Sequence, residues 1–555
     1  MRIIGPSRAD IPQYEASSSA TDEPASPQRR RWLAATGAGV LAAPWRGACQ
    51  SPPPAATSAA AEPGAAASGH FASGVASGEP TPDRAVIWTR ALPPGVDGAS
   101  SAIDAPAIEL DWEVATDPHF AQLARRGRVR ATAARNYCVH VDVDGLAPER
   151  RYWYRFRARD MLSPVGRFRT APASDAPAIR TASWRIAVAS CQHWEYGFFG
   201  AHRDLVEQAP DLVLFVGDYI YESGARKGRS RVRHHEGGAC RSLADYRRRY
   251  AQYRSDPLLQ AAHAACAWLT IWDDHEVVND YAGLTARVPD PELAARRAAA
   301  YRAWLEFTPT RAALRERADT THVRIYQTLA FGEAMRISLL DGRQYRSEHA
   351  CKSVASPPGS LMAPRDCAGR LDPSRSLLGL DQERWLDGVV RGARERWHLI
   401  AQTTLFSPLF FGPKVWLDGW DGYAPARDRL VDTLARSGRT NPVLLGGDVH
   451  SGWIADIKRD YARFDSATVA TEICSTSITS PAGLTEKMAR RAMDELPYLH
   501  FGHTAERGYT LLEIGPARID VSIRATRDVR VEHPTLSTLA RFTIDAARPG
   551  AHRVA

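Results

Sequence analysis

The chain has 555 residues, 44% of them hydrophobic and 24% charged, with a net charge of +8. This length calls for two or more domains, and the composition excludes a disordered or fibrous chain. The arginines are scattered, which excludes a dedicated nucleic-acid-binding domain and leaves a mild attraction for anionic substrates.

Residues 1–69 read as a leader. Arg29-Arg30-Arg31-Trp32-Leu33 opens a weakly apolar run that reaches Trp45, and small residues follow. That order is the order of an export signal, and Arg-Arg-x-aromatic-Leu is the pattern of a twin-arginine signal. The apolar run falls short of the roughly 20 residues of a spanning helix, so no transmembrane anchor is expected. Cys49 admits a lipoprotein anchor, but Arg46 stands where such a signal carries an aliphatic residue. Residues 50–69 are an Ala/Pro/Ser/Gly linker. The expectation is a periplasmic or secreted monomer, carried out folded by the twin-arginine export machinery.

Residues 70–175 are expected to form a small all-β sandwich of the fibronectin type, serving as a scaffold. Ala85–Arg90, Ile108–Ala115, Tyr137–Val143 and Tyr152–Arg157 read as strands punctuated by Gly, Pro and Asp. A linker follows up to residue 182.

Residues 183–530 alternate short apolar runs with helical stretches such as Gly200–Ala209 and Pro291–Leu305, an α/β plan with a largely buried sheet. Four of the runs end in chemistry. Ile186–Ala189 leads into Ser190-Cys191, Leu212–Val216 into Gly217-Asp218, Trp268–Trp272 into Asp273-Asp274-His275, and Val443–Leu445 into Gly446-Gly447-Asp448-Val449-His450. Ligands gather beyond the carboxyl ends of strands in such sheets, and these are metal-ligand residue types. Residues 531–555 are expected to be a C-terminal tail.

Within Gly217-Asp218-Tyr219-Ile220-Tyr221-Glu222, Asp218 can bridge two cations. A phenol has a pKa near 10, so only a strongly acidic metal such as Fe(III) holds Tyr221 as phenolate. Asp273-Asp274-His275-Glu276 is followed by Asn279-Asp280, and crowded carboxylates without basic partners repel unless cations sit among them. Asn279 adds a neutral oxygen suited to a hard ion such as Ca²⁺. Asp448 and His450 alternate after two glycines that allow close backbone approach. Cys351 and Cys367 close a short Pro/Gly-containing segment and are the best disulfide candidates, and no CxxC pair suggests a zinc ribbon.

Taken together, Val188-Ala189-Ser190-Cys191-Gln192, Gly217–Glu222, Trp272–Glu276, Arg343-Gln344-Tyr345-Arg346, Gln382–Leu386, Trp420-Asp421-Gly422-Tyr423 and Gly447-Asp448-Val449-His450 stand in the order seen in PhoD-type alkaline phosphatases. The chain resembles that family from about residue 70 to about residue 530. The resemblance implies a metallophosphoesterase-like α/β sandwich and one Fe(III) with Ca²⁺ ions. It would place Cys191, Asp218, Tyr221 and His450 around iron, with Asp218 bridging to calcium and Asn279 and Asp448 on the calcium side. Ligand types alone also admit zinc or manganese. The departures are His193, Asp341-Gly342 before Arg343, and the basic stretch Ala225–Ala239, which touch substrate preference rather than the ligands.

The expected reaction is metal-assisted hydrolysis of phosphate mono- or diesters, with phosphate esters as substrates. His275 either protonates the leaving alkoxide or orients its neighbours. Arg343 either clamps a phosphate oxygen or forms a structural ion pair. Trp416, Trp420 and Tyr423 line a groove or pack internally. The rival readings are a phosphodiesterase or phospholipase-like enzyme on the same fold, and a non-catalytic phosphate-binding surface protein.

Overall fold

The computed structural model describes residues 69–554 except 94–95, 97–104, 179–182, 226–230, 316–319, 354–356 and 439. The leader, its arginines and Cys49 lie outside the described residues. In chain order, the first strands are β1 (Val75–Gly78), β2 (Ala85–Arg90), β3 (Ile108–Ala115), β4 (Leu123–Ala131), β5 (Cys138–Val143), β6 (Arg151–Ala158), β7 (Met161–Leu162) and β8 (Gly166–Arg169). Next come β9 (Trp184–Ala189), β10 (Leu212–Val216), β11 (Ala267–Ile271), β12 (Gln327–Phe331), β13 (Met335–Leu339), β14 (Leu361–Met362), β15 (Trp397–Ala401), β16 (Val415–Trp416) and β17 (Asn441–Gly446). The last are β18 (Gly452–Lys458), β19 (Thr468–Cys474), β20 (Leu499–His503), β21 (Arg507–Ile514), β22 (Arg518–Thr526), β23 (Ser537–Asp545) and β24 (Ala551–Val554). The helices are α1 (Gly200–Glu207), α2 (Leu243–Arg254), α3 (Pro257–Ala265), α4 (Leu293–Phe307), α5 (Leu380–Gly392), α6 (Ala424–Leu434) and α7 (Glu486–Glu495).

Two large sheets make the α/β sandwich. One has ten strands in the order β24-β23-β22-β21-β9-β10-β11-β1-β2-β5, the other seven in the order β12-β13-β15-β17-β19-β18-β20. Their inner faces share one apolar core, in which Ile186, Leu214 and Leu269 of the first meet Ile337, Leu399 and Val443 of the second. Leu386, Val390, Leu430 and Leu434 of α5 and α6 cover the other face of the second sheet through Ile400 and Leu444. The central strands β9, β10 and β11 run parallel and are almost entirely buried, which is why they read as continuous apolar runs. The fourth motif-bearing strand, β17, belongs to the second sheet and lies parallel to β15 and β19, so the site is built between two sheets.

The small β-sandwich is present but not self-contained. Strands β3, β4, β6, β7 and β8 form a separate antiparallel sheet. Strands β1, β2 and β5 continue the ten-stranded sheet, because β1 pairs in parallel with β11, Ser77 opposite Ala267. Trp88 of β2 is fully buried, and its indole N–H donates to the Glu306 carbonyl of α4 at 2.8 Å. The boundary expected near residue 175 is therefore crossed by strand pairing.

The expected tail is corrected as well. β23 pairs with β22 along its length and β24 with β23. Phe542 and Ile544 are buried on the shared core, with outward polar residues between them, an alternation that fits a half-covered strand. Removing the Phe542 side chain should therefore cost about 3–5 kcal/mol. Equilibrium denaturation of Phe542→Ala checks this, and a loss below about 1 kcal/mol would mark a loose appendage.

Candidate metal centre

The strand ends deliver their side chains through strained backbone. Cys191, Asp218, Asp448 and His450 have φ of 58°, 57°, 64° and 53°, left-handed values that non-glycine residues rarely adopt and that cluster at functional sites. Two glycines let these turns close together. A Cβ on Gly447 would lie 2.4 Å from Ser190 Oγ, and one on Gly217 would lie 2.5 Å from Asp273 Cβ. Glu276 ties two of the loops to each other, its carboxylate accepting from the backbone N–H groups of Asp218 and Tyr219 on one side and Asp273 on the other.

Four overlapping groups of candidate ligand atoms result, each with its atoms within 4.8 Å of one another: Cys191, Asp218 and His450; Asp218, Asp274 and His275; Asp273, Asp274 and Asp448; Asp274, Asp280 and Asp418. Asp218 and Asp274 are the shared corners. Tyr221 joins the first group, its hydroxyl donating to Asp218 Oδ2 at 2.8 Å and lying 3.2 Å from His450 Nε2. His450 Nδ1 donates to the Pro481 carbonyl at 2.9 Å, which leaves Nε2 for the centre, the usual arrangement of a ligating imidazole. Asn279 sits beside Asp280 with its backbone N–H on Glu222 Oε1 at 3.1 Å.

The donor set fits cations. Asp218 Oδ1 and Asp448 Oδ2 are buried and accept no hydrogen bond, a costly state for carboxylate oxygens that the Arg343 guanidinium, 3.9 Å from Asp448 Oδ2, does not relieve with a hydrogen bond. Burial, with Asp218 as neighbour, pushes the Cys191 thiol and the Tyr221 phenol well above their usual ranges. Burial and adjacent carboxylates likewise push Asp274 and Asp448 up. Asp218 departs from this pattern: burial raises it, but His275, His450 and Tyr221 outweigh burial and hold it at about 2. Cys191, Tyr221, Asp274 and Asp448 are thus groups that keep protons without a cation and surrender them to one.

Around the ligands, His275 Nδ1 lies 2.7 Å from Glu222 Oε2, and its ring sits 4.1 Å from that of Tyr221. Burial opposes its charge, yet Glu222, Asp218 and Asp274 together hold the imidazole well above its ordinary range. Arg343 does not present the phosphate clamp that its planar fork suggests. Its side chain is 0% exposed, Nε and Nη2 engage Asp273, and Nη1 donates to Asp418 Oδ1 at 2.9 Å. Both edges of the guanidinium are occupied by carboxylates, so the residue positions them.

Asp274, Asp280 and Asp418 belong to the groups; the first two lie in the carboxylate-rich motif without a ligand role assigned to either, and Asp418 lies outside every motif. Asp418 lies in the aromatic run between Trp416 and Trp420, and that was its only signal. Ser480 carried none: its Oγ is 2.6 Å from the Tyr221 hydroxyl and donates to the Cys191 carbonyl at 2.9 Å. Of the departures, His193 is buried against the Tyr221 ring at 4.3 Å. The two described arginines of the basic stretch turn inward, Arg233 pairing with Asp256 and stacking on Trp194 and Arg231 stacking on Tyr196, whereas His234 is exposed. Trp420 and Tyr423 are fully buried packing residues, whereas Trp416 is half-buried. Cys351 and Cys367 form the expected disulfide.

Replacing Arg343 with Met should strip Asp273 and Asp418 of their shared partner and cost about 3–5 kcal/mol in metal-free protein. Arg343→Lys should recover little, because an ammonium cannot span both carboxylates. Denaturation of the two variants checks this, and unchanged stability would return Arg343 to the substrate.

The chain matches the family model for PhoD-like phosphatase over residues 186–523 and that for the PhoD-like phosphatase N-terminal domain over residues 56–172. It is 34% identical over 498 residues to alkaline phosphatase D of Bacillus subtilis (strain 168), across 87% of this chain and 82% of that protein. The solved structure of PhoD aligns with a TM-score of 0.81 at 34% identity, covering 88% of this chain and 93% of that one. With ligand-bearing strand ends on that fold, the chain belongs to the PhoD-like phosphatase family and is a phosphatase.

Proposed function

We propose that this phosphatase hydrolyses phosphate mono- and diesters at a centre of one Fe(III) with Ca²⁺ ions, and that it works outside the cytoplasm after twin-arginine export. The observation that carries the reading is the segregation of donor types. Thiol, phenol and imidazole gather with Asp218 on one side, and the remaining groups hold carboxylates, with His275 the one other donor. The first set suits a strongly acidic, thiolate- and phenolate-binding ion, the carboxylates a hard one. Cys191, Asp218, Tyr221 and His450 would hold iron. Asp218 would reach toward calcium, and Asn279, Asp274 and Asp448 would hold it on that side. When bound, such ions neutralise phosphate oxygens and acidify a water for attack on phosphorus.

The protein's own groups do the rest. Tyr221 and Ser480 fix one another, which holds the iron-side turn against the Cys191 backbone. Arg343 holds Asp273 and Asp418 in register with Asp274. His275, oriented by Glu222 at 2.7 Å, would give its proton to the departing alkoxide. Among the described residues no helix is long and apolar enough to cross a membrane, and the export reading rests on the leader sequence.

Steady-state turnover of aryl and alkyl phosphate esters, with and without added Ca²⁺, tests this. Asp218→Ala should lose at least about a thousandfold in kcat. His275→Gln should lose about a hundredfold on alkyl esters, whose alkoxides need a proton, and little on activated aryl esters. Equal losses on both would make His275 an orienting group only, and metal-replete protein inactive on every ester would overturn the proposal.

A further inference from the structure

Two arginines and a histidine converge on Asp418. Arg343 Nη1 and Arg346 Nη1 each donate to its Oδ1 at 2.9 Å, and His349 Nε2 lies 2.5 Å from the same oxygen. Arg343 extends the network to Asp273 and Asp274. The placement of Asp418 therefore bears directly on two carboxylates of the metal groups. Yet Asp418 stands outside both large sheets. It follows β16, a two-residue strand whose partner β14 also has two residues, Leu361 opposite Trp416 and Met362 opposite Val415. So short a pair is not stable by itself.

What holds the pair is the Cys351–Cys367 disulfide. β14 lies inside the segment that it closes, and Leu417 N–H donates to the Ser360 carbonyl at 3.3 Å. Cys367 is buried with Ala350, Val415 and Leu417 in a small apolar cluster apart from the main core. In the same segment Gly359 has φ of 77°, and a Cβ there would meet Asp280 Cγ at 3.1 Å and Asp418 Cβ at 3.3 Å. His349 stands two residues before Cys351. The closed segment thus reaches Asp418 by its strand, by the Gly359 backbone and by the histidine at its root. Cys351 is partly exposed, whereas the five free cysteines among the described residues are buried. A water-soluble dithiol therefore meets this sulfur first.

We propose that the Cys351–Cys367 bond is a redox-sensitive brace of the carboxylate side. Closed, it holds Asp418 on its three partners and keeps Asp273 and Asp274 set for a cation. Opened by a dithiol, it lets that side relax and weakens its grip on the ion. The proposal rests on the calcium reading given above and adds its regulation. In the opening step one thiolate of the dithiol attacks Cys351 Sγ, the S–S bond breaks, and Cys367 leaves as a thiolate that takes a proton. The second thiol of the reagent then displaces Cys351, so the dithiol ends as a disulfide and the protein as two thiols. The enzyme would gain its full hold on calcium only where thiols are oxidised, which is outside the cytoplasm.

Two measurements on the full-length exported protein test it. The first is calorimetric titration with Ca²⁺ of the oxidised wild type, of the same protein in dithiothreitol, and of the double variant Cys351→Ser/Cys367→Ser. The dissociation constant should rise at least about tenfold on reduction and in the variant. Should the variant fail to fold, the reduced wild type carries the comparison. A merely structural bond would lower the melting temperature and leave the calcium affinity of the folded protein unchanged, which would overturn the proposal. The second is amide hydrogen exchange of calcium-depleted protein in both redox states. Reduction should speed exchange at Leu417 by about tenfold or more and leave the central strands β9, β10 and β11 unaffected. Equal exchange in the two states would also overturn the proposal. Oxidised wild type that binds no calcium, with the exchange difference still present, would refute calcium as the ion and leave the brace standing.

Discussion

The structure is organised around carboxylates that repel one another. Asp218, Asp273, Asp274, Asp280, Asp418 and Asp448 meet in overlapping groups, and all but Asp448 are buried. Arg343 lies within 3.9 Å of four of them, Asp273, Asp274, Asp418 and Asp448, with no exposure to water. Arg346 and His349 also pair with Asp418, and Arg287 with Asp280, yet Asp218 Oδ1 and Asp448 Oδ2 still accept no hydrogen bond. Such an arrangement is stable only when protons or cations share the volume. A phosphatase needs that same surplus of positive charge where the phosphate arrives.

Much of the fold can be understood as the means of holding this cluster. Parallel strands β9, β10 and β11 of one sheet and β17 of the other place their carboxyl ends at one point. Left-handed turns at Cys191, Asp218, Asp448 and His450 aim the side chains inward. Glu276, Ser480 and the Pro481 carbonyl then lock loops that belong to different strands. The strain of the turns is sustained by a core that runs without a break from the amino-terminal strands to β23. This is also why strands β1, β2 and β5 cannot be regarded as a detachable scaffold.

The turns that carry the candidate ligands were legible because buried strands end abruptly in Cys, Asp-Tyr, Asp-Asp-His and Asp-x-His, which no ordinary turn requires. The sheet assignment was not. A fully buried strand such as Val443–Leu445 shows no alternation, so nothing in it tells which of two sheets it joins. The alternating strands after residue 537 were missed because Arg541 and Thr543 dilute the apolar signal of Phe542 and Ile544. The sequence left Arg343 open between a phosphate clamp and a structural ion pair, because its carboxylate partners Asp273 and Asp418 are distant in the chain, with separations of 70 and 75. The disulfide was legible from the short Pro/Gly-containing segment it closes, but the pairing of β14, inside that segment, with β16 was not.

The central claim is that thiol, phenol and imidazole share an iron ion beside a calcium-binding carboxylate group. Elemental analysis joined to a visible spectrum of exported protein tests it most directly. The account predicts about one iron per chain, as the single thiol–phenol–imidazole group allows, and a visible charge-transfer band that Tyr221→Phe abolishes or shifts. Colourless, active protein holding zinc or manganese would contradict the iron assignment while leaving the phosphatase fold and its strand-end ligands in place.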